Sequence, residues 1–217
     1  MQSTLARDTL KLASTAGLLV LAAILPVLVP AMDILALGNG LRETSITEFV
    51  QEALVTLTSA TFFLVARRNP ELRQGAILMG AFFLCLALRE MDFLFDKIFH
   101  GAWKWLVLPI VATCAWTAWR NPRQSWAGIV HMLSGSAGTL LLAGTVLLVI
   151  YSRLIGMGAL WESLLSDGYV RTAKNFVEEG SELMAYGVIT VAALVRLAQS
   201  WDSVPEEEAE SKPVRAR

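Results

Sequence analysis

The sequence is short of charge. Only 17% of its 217 residues are Asp, Glu, Lys or Arg, against roughly a quarter in a soluble globular chain. So few charges cannot cover the surface of a soluble domain of this size. Histidine is scarcer still, with His100 and His131 alone, and a three-histidine zinc centre is therefore excluded. The two cysteines, Cys85 and Cys114, form no CxxC and fall inside apolar runs. They read as small buried hydrophobes, not as a disulfide framework or a zinc knuckle. The formal net charge of −1 leaves no electrostatic footprint for nucleic acid. Walker, GxSxG and HExxH motifs are absent.

What the sequence has in abundance is apolar surface. Hydrophobic residues make up 55% of the chain and the mean hydropathy is +0.54. That surplus needs a solvent, and lipid is the one that fits. Six long apolar stretches run over 10–30, 46–66, 75–99, 101–119, 126–151 and 174–198. Each is near or above the roughly 17–25 residues that cross a bilayer as a helix. Backbone polar groups cannot go unpaired in lipid, so each span must be helical. The expected fold is an all-α polytopic transmembrane bundle of six spans over residues 1–202. A disordered tail over 203–217 follows, carrying Glu206, Glu207, Glu208 and Glu210. Breakers separate the spans at Gly38-Asn39-Gly40, Asn69-Pro70, Asn121-Pro122 and Gly156-Met157-Gly158. Spans three and four meet in a tight hairpin at His100-Gly101. The first run is too long for a signal-peptide core and reads as a retained span kinked at Pro26. Residues 159–166 read as a short helix lying in the outer interface.

Basic residues set the orientation. Arg7, Lys11, Arg67, Arg68, Arg73, Arg120, Arg123 and Arg196 share one side with Lys212, Arg215 and Arg217. The other side holds Arg42, Lys97, Lys104, Arg153, Arg171 and Lys174. The positive-inside rule places both termini in the cytoplasm of a multi-pass protein, expected in a bacterial inner membrane. Tryptophan marks two belts, with Trp103, Trp105 and Trp161 at one level and Trp116, Trp119, Trp126 and Trp201 at the other.

The ionisable residues inside the spans are the informative ones. Glu48 and Glu52 open span two, Arg89, Glu90, Asp92, Asp96 and His100 close span three, and Glu178, Glu179 and Glu182 open span six. Residues four apart share a helix face. Glu48 with Glu52, and Glu178 with Glu182 and Tyr186, make two polar stripes; Arg89, Asp92, Asp96 and His100 make a third within about an 80° arc. Carboxylates facing lipid are costly, so the stripes should turn inward and meet in an outward-facing acidic cavity. A structural reading stays beside this one: Arg89 neutralises neighbouring acids, and Glu48 and Glu178 are favourable first-turn acids.

A convergent acidic cluster has three uses. It could hold a divalent metal through Glu52, Asp92, Asp96, His100, Glu178 and Glu182. Such a site is rich in oxygen, which points to magnesium, calcium, manganese or iron. Glu52, Asp92 and Glu182 would then serve as acid/base groups, with Arg89 holding an anion. It could carry protons or cations. It could also dock a membrane-protein partner, a second copy of the chain, or a lipid headgroup. His131, Ser134, Gly138 and Thr145 read as a helix-packing face.

Ser45-Ile-Thr-Glu48-Phe-Val-Gln-Glu52-Ala-Leu-Val-Thr-Leu-Thr-Ser59 resembles the first-helix segment of the alkaline ceramidase superfamily of polytopic membrane hydrolases. Asp92 to His100 is compatible with the same pattern. The paired histidines of that family near its last helix are replaced here by Glu178-Glu179-Gly-Ser-Glu182, so no catalytic residue is carried over. Leu88-Arg89-Glu90-Met91-Asp92 and Glu178 to Glu182 are similar to a family of small bacterial polytopic inner-membrane proteins. That resemblance implies the fold and the outer polar site, and no reaction. The expected function is a metal-dependent, lipid-directed hydrolase. The alternatives are a proton- or cation-coupled transporter and an envelope partner or sensor.

Overall fold

The computed structural model describes residues 2–38, 41, 45–168 and 170–202, and every regular element among them is helical. The tail from residue 203, and Arg42 and Glu43 of the first loop, lie outside the described residues.

Helix α1 (Gln2–Leu35) continues through Pro26 and Pro30. Pro30 has no N–H to give the Pro26 carbonyl one turn back. That carbonyl instead faces Gly180, where a Cβ would approach it to 2.9 Å. The close approach of α1 to the last helix therefore requires glycine at 180. Near its end, α1 presents Asp33, which is 0% exposed. Its carboxylate accepts from the Ile46 and Thr47 N–H groups, both at 2.9 Å, and from the Thr47 hydroxyl at 2.6 Å. Those are orphan donors at the start of α2 (Ile46–Arg68), and an acid is favoured there by the helix dipole. Ser45 adds a local cap by accepting from the Glu48 N–H at 3.2 Å.

Four helical segments are long and apolar enough to cross a membrane: Leu5–Leu35, Ile46–Arg68, Gly135–Ile155 and Arg171–Trp201. The third and fourth expected spans become α3 (Arg73–Glu90) and α5 (Trp103–Arg120), each of eighteen residues. Both carry charge at their ends, with Arg73, Arg89 and Glu90 on one and Lys104 and Arg120 on the other. Those charges shorten the apolar stretch and set them apart from the other four. The third apolar stretch does not stay in one helix to residue 99. That helix ends at Glu90, and Met91 leads into the single turn α4 (Asp92–Phe95).

Span five also starts later than its hydropathy suggests. α6 (Pro122–Leu133) ends at Ser134, whose backbone is extended, and Gly135 follows at φ +70°. The chain then resumes as α7 (Gly135–Val146), a π-helical turn over Leu147–Tyr151, and α8 (Ser152–Ile155). The face expected to join His131 to Gly138 and Thr145 is therefore split between two helices. α6 packs on the start of α3, where Gly75 and Gly128 meet so closely that neither backbone leaves room for a Cβ. Gln74 of α3 donates to the Ser125 hydroxyl at 3.2 Å beside that crossing. Glycine pairs of this kind let membrane helices gain contact without a hydrophobic driving force.

After α9 (Gly158–Leu165), the chain returns in α10 (Arg171–Asp202). α10 packs against α1, α2 and α7 and is the central helix of the bundle. Val55, Phe62, Phe83, Tyr186 and Ile189 form the core, with the Phe62 and Phe83 rings stacked at 5.7 Å. Arg196 is buried. Its guanidinium donates to the carbonyls of Met132 at 2.9 Å and Ser134 at 2.5 Å, and so satisfies the break between α6 and α7. At the same end, Arg68 stacks over Trp201 at 4.5 Å and Arg120 over Trp116 at 5.4 Å.

Candidate functional site

Three helix ends converge opposite that basic end. The first two turns of α2 bring Glu48, Gln51 and Glu52. The last residue of α3 brings Glu90. The third turn of α10 brings Glu179 and Glu182. Together these six line a polar cavity of about 60 Å³. That is room for a few waters or a small cation.

Several contacts fix the lining. Gln51, buried, donates its amide to the Glu179 backbone carbonyl and to Glu179 Oε2, both at 3.1 Å. The Tyr186 hydroxyl donates to Glu90 Oε1 at 3.0 Å from one turn below Glu182. Arg89, itself exposed, reaches the same oxygen at 3.1 Å. Glu182 is met by Arg153 of α8 at 2.8 Å; the Glu182 side chain is 8% exposed and Arg153 52%. Arg89 is the cation that the sequence places among these acids, and Arg153, half-exposed, is a second. The π-helical turn over Leu147–Tyr151 immediately precedes it. Such turns shift the facing of every residue that follows, so simple helical spacing does not anticipate the contact.

Glu52 has two neighbourhoods. It lines the acidic cavity, and it also lines an open groove of about 590 Å³ with Phe49, Ala53, Thr56, Leu57, Ala60 and Met91. Apart from Glu52 and Thr56 the groove is apolar. Below the cavity, Val55, Leu183, Tyr186 and Ile189 are all packed to 1% exposure or less. Beneath them Thr58 and Thr190 share a hydrogen bond at 3.0 Å, and Thr190 donates to the Tyr186 carbonyl at 2.8 Å.

The remaining expected site residues lie elsewhere. Because α3 stops at Glu90, Asp92, Asp96 and His100 do not share its face and do not line the cavity. Asp92 is exposed in α4. Asp96 caps the following turn, accepting from the Gly101 N–H at 2.7 Å and pairing with His100 Nδ1 at 2.8 Å. Gly101 sits at φ +78°, which closes that turn and suits glycine. The Gly101 N–H, and after it His100, hold the Asp96 carboxyl below the usual aspartate range. The His100 side chain is 93% exposed. Glu178 pairs with Lys174 one turn earlier on α10. Among the described residues no set of three His, Cys, Asp or Glu side chains is arranged to hold a metal ion.

Glu179 and Gln51 belong to the site although sequence spacing gave them no role. Gln51 stands three residues from Glu48, within the same face, and that was the available signal. Glu179 stands beside Glu178, and only the packing of α10 against α2 decides which of the two turns inward. No family model, curated protein or solved structure matches the chain.

Proposed function

We propose that this chain is a bacterial inner-membrane protein whose outward-facing acidic site acts on a lipid. The observation that carries the proposal is the double position of Glu52, on the wall of the carboxylate cavity and at the head of the apolar groove along α2. A lipid tail fits the groove, and its polar end then meets Glu52 and the cavity beyond. The cavity is too small for a large headgroup but admits water or a cation. The reaction class in this reading is hydrolysis. A divalent cation drawn in by Glu52, Glu182 and their neighbours would supply the activated water. Arg153 and Arg89 at the rim supply positive charge for a carbonyl or phosphoryl oxygen.

The topology that accompanies this reading has six spans and both termini in the cytoplasm. α3 and α5, at about 27 Å each, nearly match a hydrocarbon core of about 30 Å. Arg67, Arg68, Arg73, Arg120 and Arg123 then face the cytoplasm and the carboxylates face outward.

A proton or cation carrier is the second reading. It is favoured by the polar thread that leads from Glu90 through Tyr186 to Thr190 and Thr58. Elemental analysis of the purified full chain, with lipid turnover measured on a bacterial polar lipid extract, separates the two. The hydrolase reading expects a stoichiometric divalent ion and lipid cleavage, both lost in Glu52→Gln and Glu182→Gln. No metal under any loading condition, with no cleavage, would end it.

A further inference from the structure

The open groove along α2 carries a polar pattern of its own. Glu52 stands at its head, and Thr56 follows one turn later, about 6 Å along the axis. Past them the lining is apolar, through Leu57 to Ala60. Phe49 and Met91 frame the head end, and the Phe49 ring meets Phe93 of α4 edge to face at 6.3 Å. The volume of about 590 Å³ falls within the range of ligand pockets.

Both polar side chains are open to a ligand. Among the described residues neither Glu52 nor Thr56 has a hydrogen-bond or ion-pair partner. The neighbouring arginines are committed, Arg89 to Glu90 and Arg153 to Glu182. Thr61, by contrast, gives its hydroxyl to the Leu57 carbonyl at 2.7 Å within α2. An ionised carboxylate only accepts, and a threonine hydroxyl can donate. From its head, then, the groove offers an acceptor, a donor and an apolar wall.

We infer that the groove binds a neutral acylglycerol. Its free hydroxyl donates to Glu52, an ester carbonyl accepts from Thr56, and the acyl chain lies along Leu57 and Ala60. This class rests on the reading of the groove as a lipid site and narrows it. A phosphate would bring negative charge against Glu52, and an acceptor where the head of the groove needs a donor. The cavity of about 60 Å³ beyond Glu52 has room for a hydroxyl and water.

Native mass spectrometry of the delipidated full chain tests it with three probes that share dioleoyl chains: dioleoylglycerol, its methyl ether and dioleoylphosphatidic acid. The expected result is a one-to-one complex with dioleoylglycerol, and binding about tenfold weaker for each of the other two. Glu52→Gln should bring the phosphatidic acid within about threefold of dioleoylglycerol. Thr56→Val should weaken dioleoylglycerol and its methyl ether alike, because both keep the ester carbonyl. Ala53→Trp and Ala60→Trp, at exposed positions and confirmed as folded by thermal unfolding, should lose all three lipids. Equal binding of the three lipids, or a ranking unchanged in Glu52→Gln, would overturn the acylglycerol class while the filling variants still report a lipid groove. Binding untouched by both filling variants would overturn the groove reading with it.

Discussion

Arg153 reaches the buried carboxylate of Glu182 at 2.8 Å from a helix that is itself aimed by a π-helical turn. Glu182 stands among Glu48, Glu52, Glu90 and Glu179 in one cavity. Arg153 is thus the cation that makes burial of Glu182 tolerable. Removing it by Arg153→Gln should destabilise the protein by about 1–3 kcal/mol, with the lower end favoured because the arginine is half-exposed. Thermal unfolding in detergent reads this. The double variant Arg153→Gln/Glu182→Gln should recover part of the loss. Strict additivity of the two single effects would contradict the pairing.

Asp33 is the link between α1 and α2. Three donors of α2 converge on its carboxylate, so Asp33→Ala leaves two backbone N–H groups and one hydroxyl without that partner. The expected cost is about 1–2 kcal/mol or more, at the upper end for a helix cap because the site is fully buried. Asp33→Asn, which retains an acceptor, should cost less. A fall in thermal midpoint for Asp33→Ala no larger than for exposed control substitutions would contradict the role.

The turn at Asp96 carries a pH dependence of known sign. Its carboxyl is held below the usual aspartate range by the Gly101 N–H and then by His100. The stabilisation is therefore present above the unfolded-state value and is lost as pH falls through the lowered, folded one. Hydrogen exchange should show the Gly101 amide protected at neutral pH and released only on strong acidification. His100→Ala should leave most of that protection, because the backbone N–H is the larger cause. Asp96→Asn should remove the acid-dependent step.

Arg196 holds the break between α6 and α7 by two carbonyls. Arg196→Met keeps the apolar length of the side chain and removes both donors. It should cost about 1–3 kcal/mol and speed exchange at the Ser134 amide, which bonds to the His131 carbonyl. Unchanged exchange at Ser134 would sink the assignment.

Much of this architecture is legible in the sequence, for a physical reason. Length and hydropathy decide whether a segment stays helical in an apolar setting, so the helices and the inward turn of Glu52 and Glu182 follow from spacing. What spacing does not encode is where a helix stops. The ends at Glu90 and Ser134 fall where the chain meets tertiary partners on α10, Tyr186 at the Glu90 carboxylate and Arg196 at the Ser134 carbonyl. A stripe drawn through Arg89, Asp92, Asp96 and His100 assumes one continuous helix. The break at Met91 sends the last three into an exposed turn. Arg153 was hidden for a related reason, since a π-helical turn rotates it off the regular period.

The proposed function depends on the face from which the carboxylate cavity opens. The direct measurement is cysteine labelling in intact cells with a membrane-impermeant maleimide, in a Cys85→Ala/Cys114→Ala background. Glu48→Cys, at the cavity, should label from outside, and Arg68→Cys, at the basic end, only after the membrane is permeabilised. The reverse pattern would put the cavity in the cytoplasm and contradict the account.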